Sequence, residues 1–125
     1  MKHRVCTVTG SRAEFGLLAP LIEKIESDEN IEHRLVVTGS HLSDAFGSTV
    51  NEIEESGNPI HAKIAIPING DGKCDTAKAT GTAISLFAEY FDKNRPALVI
   101  VLGDRFEIFA VATAAATLGI PIAHL

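Results

Sequence analysis

The hydrophobic positions of this chain alternate between short continuous runs and helical repeats. Five apolar runs predict β-strands. The first, third and fourth strands are predicted at residues 4–9, 60–66 and 97–102, the second ends with residues 35–38, and the fifth begins with residues 120–125. The run at 97–102 is almost free of polar residues, which is typical of a parallel strand buried on both faces.

The segments between these runs predict four helices, at residues 14–27, 42–53, 76–93 and 106–118. In the first helix, Leu18, Ile22 and Ile25 share one face. Pro20 indicates either that this helix starts close to residue 20 or that it is slightly kinked there. In the second, apolar positions recur from Leu42 to Ile53 at three- and four-residue spacings.

Strict alternation of strand and helix predicts an α/β fold with a doubly wound, mostly parallel, Rossmann-like sheet. We expect the strand order 3-2-1-4-5, which places the topological switch point between strands one and four. Ligands of such sheets bind outside the carboxyl ends of the strands at this point.

Composition adds the domain count. The 125 residues are 46% hydrophobic and 22% charged, which predicts one globular domain over residues 1–125. The chain stops inside an apolar strand, so we expect it to be the first half of a longer protein. No apolar run approaches the length of a membrane span and no signal peptide is evident, so we expect a cytoplasmic protein without a membrane partner.

The net charge of −5, without a basic stripe, argues against nucleic acid as a partner. This net charge does not exclude a local anion-binding site. Arg12 follows the first strand and Arg105 the fourth, and a cation at a helix start is unfavourable by about 0.3–1 kcal/mol. Two such arginines at one sheet edge predict an anion-binding site, although Arg12 as a solvated surface side chain is the plain alternative.

The remaining polar residues near this edge allow two interpretations each. Asp104 precedes the fourth helix, where it is either an N-cap or an acid/base group. His41 is either a hydrogen-bonding loop residue or a substrate contact. The turn after the first strand lacks the G-x-G-x-x-G pattern and no acid follows the second strand, so a dinucleotide cofactor is not indicated. Neither Cys6 nor Cys74 has metal-ligand spacing.

Three segments resemble a known family. They are Gly10-Ser-Arg-Ala-Glu-Phe-Gly-Leu-Leu-Ala-Pro20, Thr38-Gly-Ser-His-Leu-Ser-Asp-Ala-Phe-Gly47 and Leu102-Gly-Asp-Arg-Phe-Glu107. They are similar to the hydrolysing UDP-N-acetylglucosamine 2-epimerases, in particular the branch that feeds sialic acid synthesis. The resemblance implies the N-terminal half of a two-domain glycosyltransferase-B fold, a missing C-terminal domain and a homo-oligomer.

The reaction implied by this resemblance converts UDP-N-acetylglucosamine and water to N-acetylmannosamine and UDP. UDP leaves by elimination to give a glycal, and water then adds with the opposite configuration at C2. No cofactor or metal is expected.

The resemblance also assigns residues. Arg12 and Arg105 would contact the UDP moiety, and Asp104 would be the acid/base residue beside the sugar. The further candidates that would line the cleft are Gly10, Gly16, His41 and Glu107. Gly16 departs from the animal relatives, which carry a UDP-contacting serine there.

Three alternatives remain open. The chain is half of a UDP-sugar glycosyltransferase, or a hydrolysing 2-epimerase acting on a UDP-linked diacetamido sugar, or a non-enzymatic sensor of sugar nucleotides.

Overall fold

A computed structural model of the protein describes residues 2–42 and 49–125. Its strands are β1 (His3–Thr9), β2 (Ile31–Thr38), β3 (Ile60–Ile64), β4 (Leu98–Val101) and β5 (Ile122–His124). Its helices are α1 (Arg12–Glu26), α2 (Val50–Glu55), α3 (Lys73–Lys93) and α4 (Phe106–Thr117), with a short 3-10 helix at Gly39–Leu42.

The five described strands form one sheet in the order β3-β2-β1-β4-β5, and every pair is parallel. The predicted strand order is confirmed. β1 lies between β2 and β4, with Thr7 opposite both Leu35 and Ile100. The carboxyl ends of β1 and β4 are therefore neighbours at the switch point, as the sequence predicted.

Helices cover both faces of the sheet, because alternate residues of the central strands point to opposite sides. Leu18 and Ile22 of α1 and Ile53 of α2 pack on one face. Phe87 and Phe91 of α3, with the apolar stripe of α4, pack on the other. All five of these side chains are fully buried, which confirms the doubly wound architecture.

The second helix is predicted from Leu42 to Ile53, and the structure describes only its two ends. Leu42 is the last residue of the 3-10 helix, and α2 runs from Val50 to Glu55. The chain turns sharply after β2 because Gly39 adopts a left-handed conformation with φ +64°. The predicted helical positions Ala45 and Phe46 lie outside the described residues.

Pro20 lies inside α1 rather than near its start. It is exposed, and so is Gly16, whose carbonyl loses its usual helical donor when residue 20 is proline. Water can therefore donate a hydrogen bond to the Gly16 carbonyl, which explains why the helix continues to Glu26. Among the residues the structure describes, no helix is long and apolar enough to cross a membrane.

Candidate functional site

The turns that follow β1, β2 and β4 meet at the carboxyl edge of the sheet. Gly10 follows β1, Gly39 follows β2 and Gly103 follows β4. A Cβ on Gly39 would lie 2.7 Å from the carbonyl oxygen of Gly10, so the first two turns are in direct contact. Gly103 has φ +94°, a conformation that side chains rarely adopt. This close packing brings side chains from α1 and α4 to one place.

Glu14 enters this place from the first turn of α1. Ser11 caps the helix by accepting a hydrogen bond from the Glu14 backbone N–H at 3.3 Å. The Glu14 carboxylate Oε1 reaches back and accepts from the Gly10 N–H at 2.8 Å. Glu14 is only 5% exposed, so this bond holds the end of β1 from inside the fold.

Glu107 enters from the first turn of α4 and is only 2% exposed. Its two carboxylate oxygens accept from the Arg105 guanidinium, from Nε at 3.2 Å and from a terminal nitrogen at 3.3 Å. This two-point contact fixes the direction of the guanidinium, whose side chain remains 47% exposed. Arg105 is thus held on one side by Glu107 and exposed to solvent on the other.

Two buried carboxylates and one guanidinium lie close together at this edge of the sheet. Burial raises the pKa of Glu14, and the negative charge of Glu107 raises it further, against the opposing effect of the Gly10 hydrogen bond. The hydrogen bonds with Glu107 raise the pKa of Arg105. Arg105 therefore stays charged, and Glu14 holds a proton more readily than an exposed glutamate.

The structure places the predicted site residues as follows. Arg12 is the first residue of α1, with a side chain 74% exposed and its Nε 3.1 Å from Glu52 Oε2. Asp104 is exposed in the turn after β4 and pairs with no other described side chain. The N-cap of α4 is Arg105, without a side-chain cap bond, so the interpretation of Asp104 as the cap is wrong. Within the described part of the chain, Asp104 therefore neither caps a helix nor pairs with another side chain.

His41 lies beneath the edge, fully buried. Its Nε2 is 3.0 Å from the Thr9 hydroxyl and its Nδ1 is 2.9 Å from the Thr49 hydroxyl. Burial lowers the pKa of His41 to about 4, so the ring is neutral at pH 7. His41 thus ties β1 to the start of α2, and its predicted contact with substrate stays a prediction.

The other candidates differ in depth. Gly10 sits among Glu14, Glu107 and Thr38, within 4 Å of where its Cβ would be. Gly16 is exposed on α1 with nothing within 4 Å of a would-be Cβ. The structure therefore brings Gly10 and Glu107 together, whereas Gly16 stands apart on the helix surface.

Sequence reasoning missed Glu14. The signal was present in Ser11-Arg-Ala-Glu14, which fits the S-x-x-E capping box, a pattern in which a glutamate reaches back to the start of its own helix. Here the carboxylate bonds the residue before the cap instead of the cap itself.

A shallow concavity of about 370 Å³ lies elsewhere, at the edge strand β3 and α3. Lys63, Glu89, Tyr90 and Lys93 are among its lining residues, and their charges are mixed. Within residues 2–42 and 49–125, no three His, Cys, Asp or Glu side chains come together as metal ligands would. The buried carboxylates of Glu14 and Glu107 distinguish the strand ends from this concavity.

Comparison with known proteins gives consistent matches. A family model described as UDP-N-acetylglucosamine 2-epimerase matches residues 23–125. The chain is 37% identical over 124 residues, 99% of its length, to a Campylobacter jejuni GDP/UDP-N,N'-diacetylbacillosamine 2-epimerase (hydrolyzing). It is also 37% identical, over its whole length, to the Legionella pneumophila UDP-N,N'-diacetylbacillosamine 2-epimerase (hydrolyzing).

A crystal structure of a UDP-N-acetylglucosamine 2-epimerase superposes with a TM-score of 0.87 at 25% identity and covers the whole chain. The chain spans about a third of the length of these proteins: 32% and 33% of the two relatives and 33% of the crystallised chain.

Proposed function

Because the chain belongs to the UDP-N-acetylglucosamine 2-epimerase family, we propose that it is the N-terminal domain of a hydrolysing UDP-N-acetylglucosamine 2-epimerase. The reaction converts UDP-N-acetylglucosamine and water to N-acetylmannosamine and UDP. A further domain would supply the opposite wall of the cleft, since the relatives are about three times as long.

One observation carries this proposal: β1 and β4 are adjacent parallel strands, so the turn that leads into Arg12 and the turn that carries Asp104 and Arg105 leave the sheet side by side. A diphosphate attached to a sugar that must lose and regain a proton suits a site to which these two adjacent segments contribute two arginines and one carboxylate. Arg105, held by Glu107, supplies a fixed cation for the departing UDP.

The first chemical step is an elimination. The C2–H bond and the bond from C1 to the UDP oxygen break, and a double bond forms between C1 and C2. We assign Asp104 to proton transfer at the sugar, because its carboxylate is exposed and carries no structural hydrogen bond in the described chain. Water then adds across the double bond, giving the hydroxyl to C1 and a proton to the opposite face of C2.

Arg12 has a different part in binding. Its guanidinium lies against Glu52 across solvent-exposed surface, where an ion pair contributes little stability. A diphosphate can therefore replace Glu52 as its partner at low cost. Arg12 would close on the ligand, whereas Arg105 is already in place.

A second substrate is favoured by a specific observation. Both relatives at 37% identity carry names that specify a diacetylbacillosamine sugar nucleotide. A hydrolysing 2-epimerase acting on a UDP-linked diacetamido sugar uses the same elimination and addition. It differs only in the groups that contact the sugar.

The test is Asp104→Asn in the complete protein, assayed with both UDP sugars. We expect turnover to fall at least about 100-fold, because the proton-transfer group is lost, while the Kd for UDP stays within about threefold. Asp92→Asn, an exposed residue of α3, is the matched control and should behave as wild type.

Full turnover by Asp104→Asn would contradict the assignment. Release of free N-acetylmannosamine by the wild type separates epimerisation from glycosyl transfer, and binding without any turnover would identify a sensor. The sugar with the higher kcat/KM identifies the substrate.

A further inference from the structure

Glu14 has no part in the chemistry proposed above, yet it is a buried acid at the centre of the site. It is 5% exposed, and its pKa is raised by burial and by the neighbouring Glu107. Burying an ionisable group is costly unless its polar atoms are used. Its contacts show what it is used for.

The two oxygens of Glu14 face two different turns. Oε1 accepts a hydrogen bond from the Gly10 N–H at 2.8 Å, in the turn after β1. Oε2 lies 3.6 Å from where a Cβ on Gly103 would stand, in the turn after β4. One carboxyl group thus fills the space between the turn that leads to Arg12 and the turn that carries Asp104 and Arg105.

We propose that Glu14 is a positioning residue whose buried carboxyl sets the spacing between the Gly10 turn and the Gly103 turn, and thereby the affinity of the site for the diphosphate of a sugar nucleotide. This inference rests on the proposed function, since it takes the two turns as the diphosphate-binding elements.

The groups facing Glu14 define which replacements should work. Glu107 and Arg105 approach from α4 and its cap, and Ser11 and Gly10 from the end of β1. Glutamine keeps the length and an oxygen acceptor for the Gly10 N–H, and it has no charge to oppose Glu107. Methionine keeps the length and fills the space but offers only a weak acceptor. Aspartate keeps the carboxylate but is one methylene too short to reach both turns.

The experiment measures UDP binding calorimetrically and kcat and KM with UDP-N-acetylglucosamine and the UDP-linked diacetamido sugar, in the complete protein. Glu14→Gln should keep the Kd for UDP within about twofold of wild type. Glu14→Met and Glu14→Asp should each raise that Kd, and the KM of the substrate, at least about fivefold. Glu23→Asp, on the exposed face of the same helix, is the control and should change neither.

Thermal unfolding separates positioning from stability, because a merely structural residue would lower Tm without changing the Kd of the folded protein. The proposal is overturned if either the Met or the Asp variant, once folded, binds UDP as tightly as wild type. It is equally overturned if Glu14→Gln binds as weakly as they do. If one of the shortened or apolar variants does not fold, the other and the Gln variant decide.

The wild type reports on the proposed function independently. A wild type that neither binds UDP nor consumes either UDP sugar removes the proposed function. A wild type that does both, with Glu14 variants that match it, removes only the role of Glu14.

Discussion

At the scale of single residues, burial decides the chemistry of His41. The ring is completely buried between the hydroxyls of Thr9 and Thr49, so its charged form would be poorly solvated. The result is a neutral ring that joins Thr9, the last residue of β1, to the start of α2 through two hydrogen bonds.

This burial predicts a pH dependence of stability. The pKa of His41 is about 4 in the folded chain against 6.5 when unfolded, so between these values the unfolded state binds the extra proton. His41 therefore stabilises the fold fully above pH 6.5, and that contribution is lost as pH falls towards 4. We expect a loss of about 3 kcal/mol of unfolding free energy over this window.

Urea unfolding at pH 7 and pH 4.5 measures this loss. His41→Gln should have a smaller difference between the two pH values than wild type, and His3→Gln, at an exposed position, should match wild type. Equal pH dependence in wild type and His41→Gln would contradict the buried neutral ring.

Which residues bear charge near the sheet edge could be predicted from sequence, because strand ends are readable from the apolar runs. Arg12, Asp104 and Arg105 were found in this way. The burial of Glu14 and the pairing of Glu107 with Arg105 could not, because both depend on how three separate turns pack.

At the scale of elements, α1 shows how local signals set a helix. Ser11 caps it and Glu14 reaches back from its first turn, which favours a start at Arg12. Gly16 in its middle weakens it, since glycine costs about 1 kcal/mol relative to alanine inside a helix.

Gly16→Ala should therefore stabilise the protein by about 0.5–1 kcal/mol, because the residue is exposed and helical and a Cβ there meets nothing within 4 Å. Gly57→Ala is the contrasting variant. Space is also open there, but its φ of +83° disfavours any side chain, so this change should destabilise. Denaturant unfolding measures both, and a destabilising Gly16→Ala would contradict the helix geometry.

Hydrophobic periodicity predicted the type of each element better than it predicted the residues at which each element begins and ends. The five strands and the helices α1, α3 and α4 lie where the pattern placed them, within a few residues. Leu42, the first position of the predicted second helix, lies in a 3-10 helix that follows the tight turn at Gly39, and residues 43–48 of that predicted helix lie outside the described part of the chain.

At the scale of the whole molecule, the candidate site lies on the surface at the carboxyl edge of the sheet and is open to solvent. The side chains of Arg12 and Arg105 remain 74% and 47% exposed, so the described residues do not shield these two guanidiniums from water. Relatives about three times as long contain enough additional chain for an opposing wall.

The 125-residue chain alone should accordingly show no turnover of either UDP sugar, and its Kd for UDP should exceed that of the complete protein at least about tenfold. Calorimetry and a product assay on both proteins measure this. Turnover by the short chain would show that one wall suffices.

The sequence by itself determined the parallel α/β sheet, its strand order and the strand ends where charged residues gather, because these follow from local hydrophobic periodicity and from chain connectivity. Only the tertiary structure decided which of those residues are buried. Glu14, Glu107 and His41 lie far apart along the chain, and their burial arises where turns from three strands pack together. The same burial raises the pKa of Glu14 and lowers that of His41. Desolvation depends on that packing, which no single segment encodes.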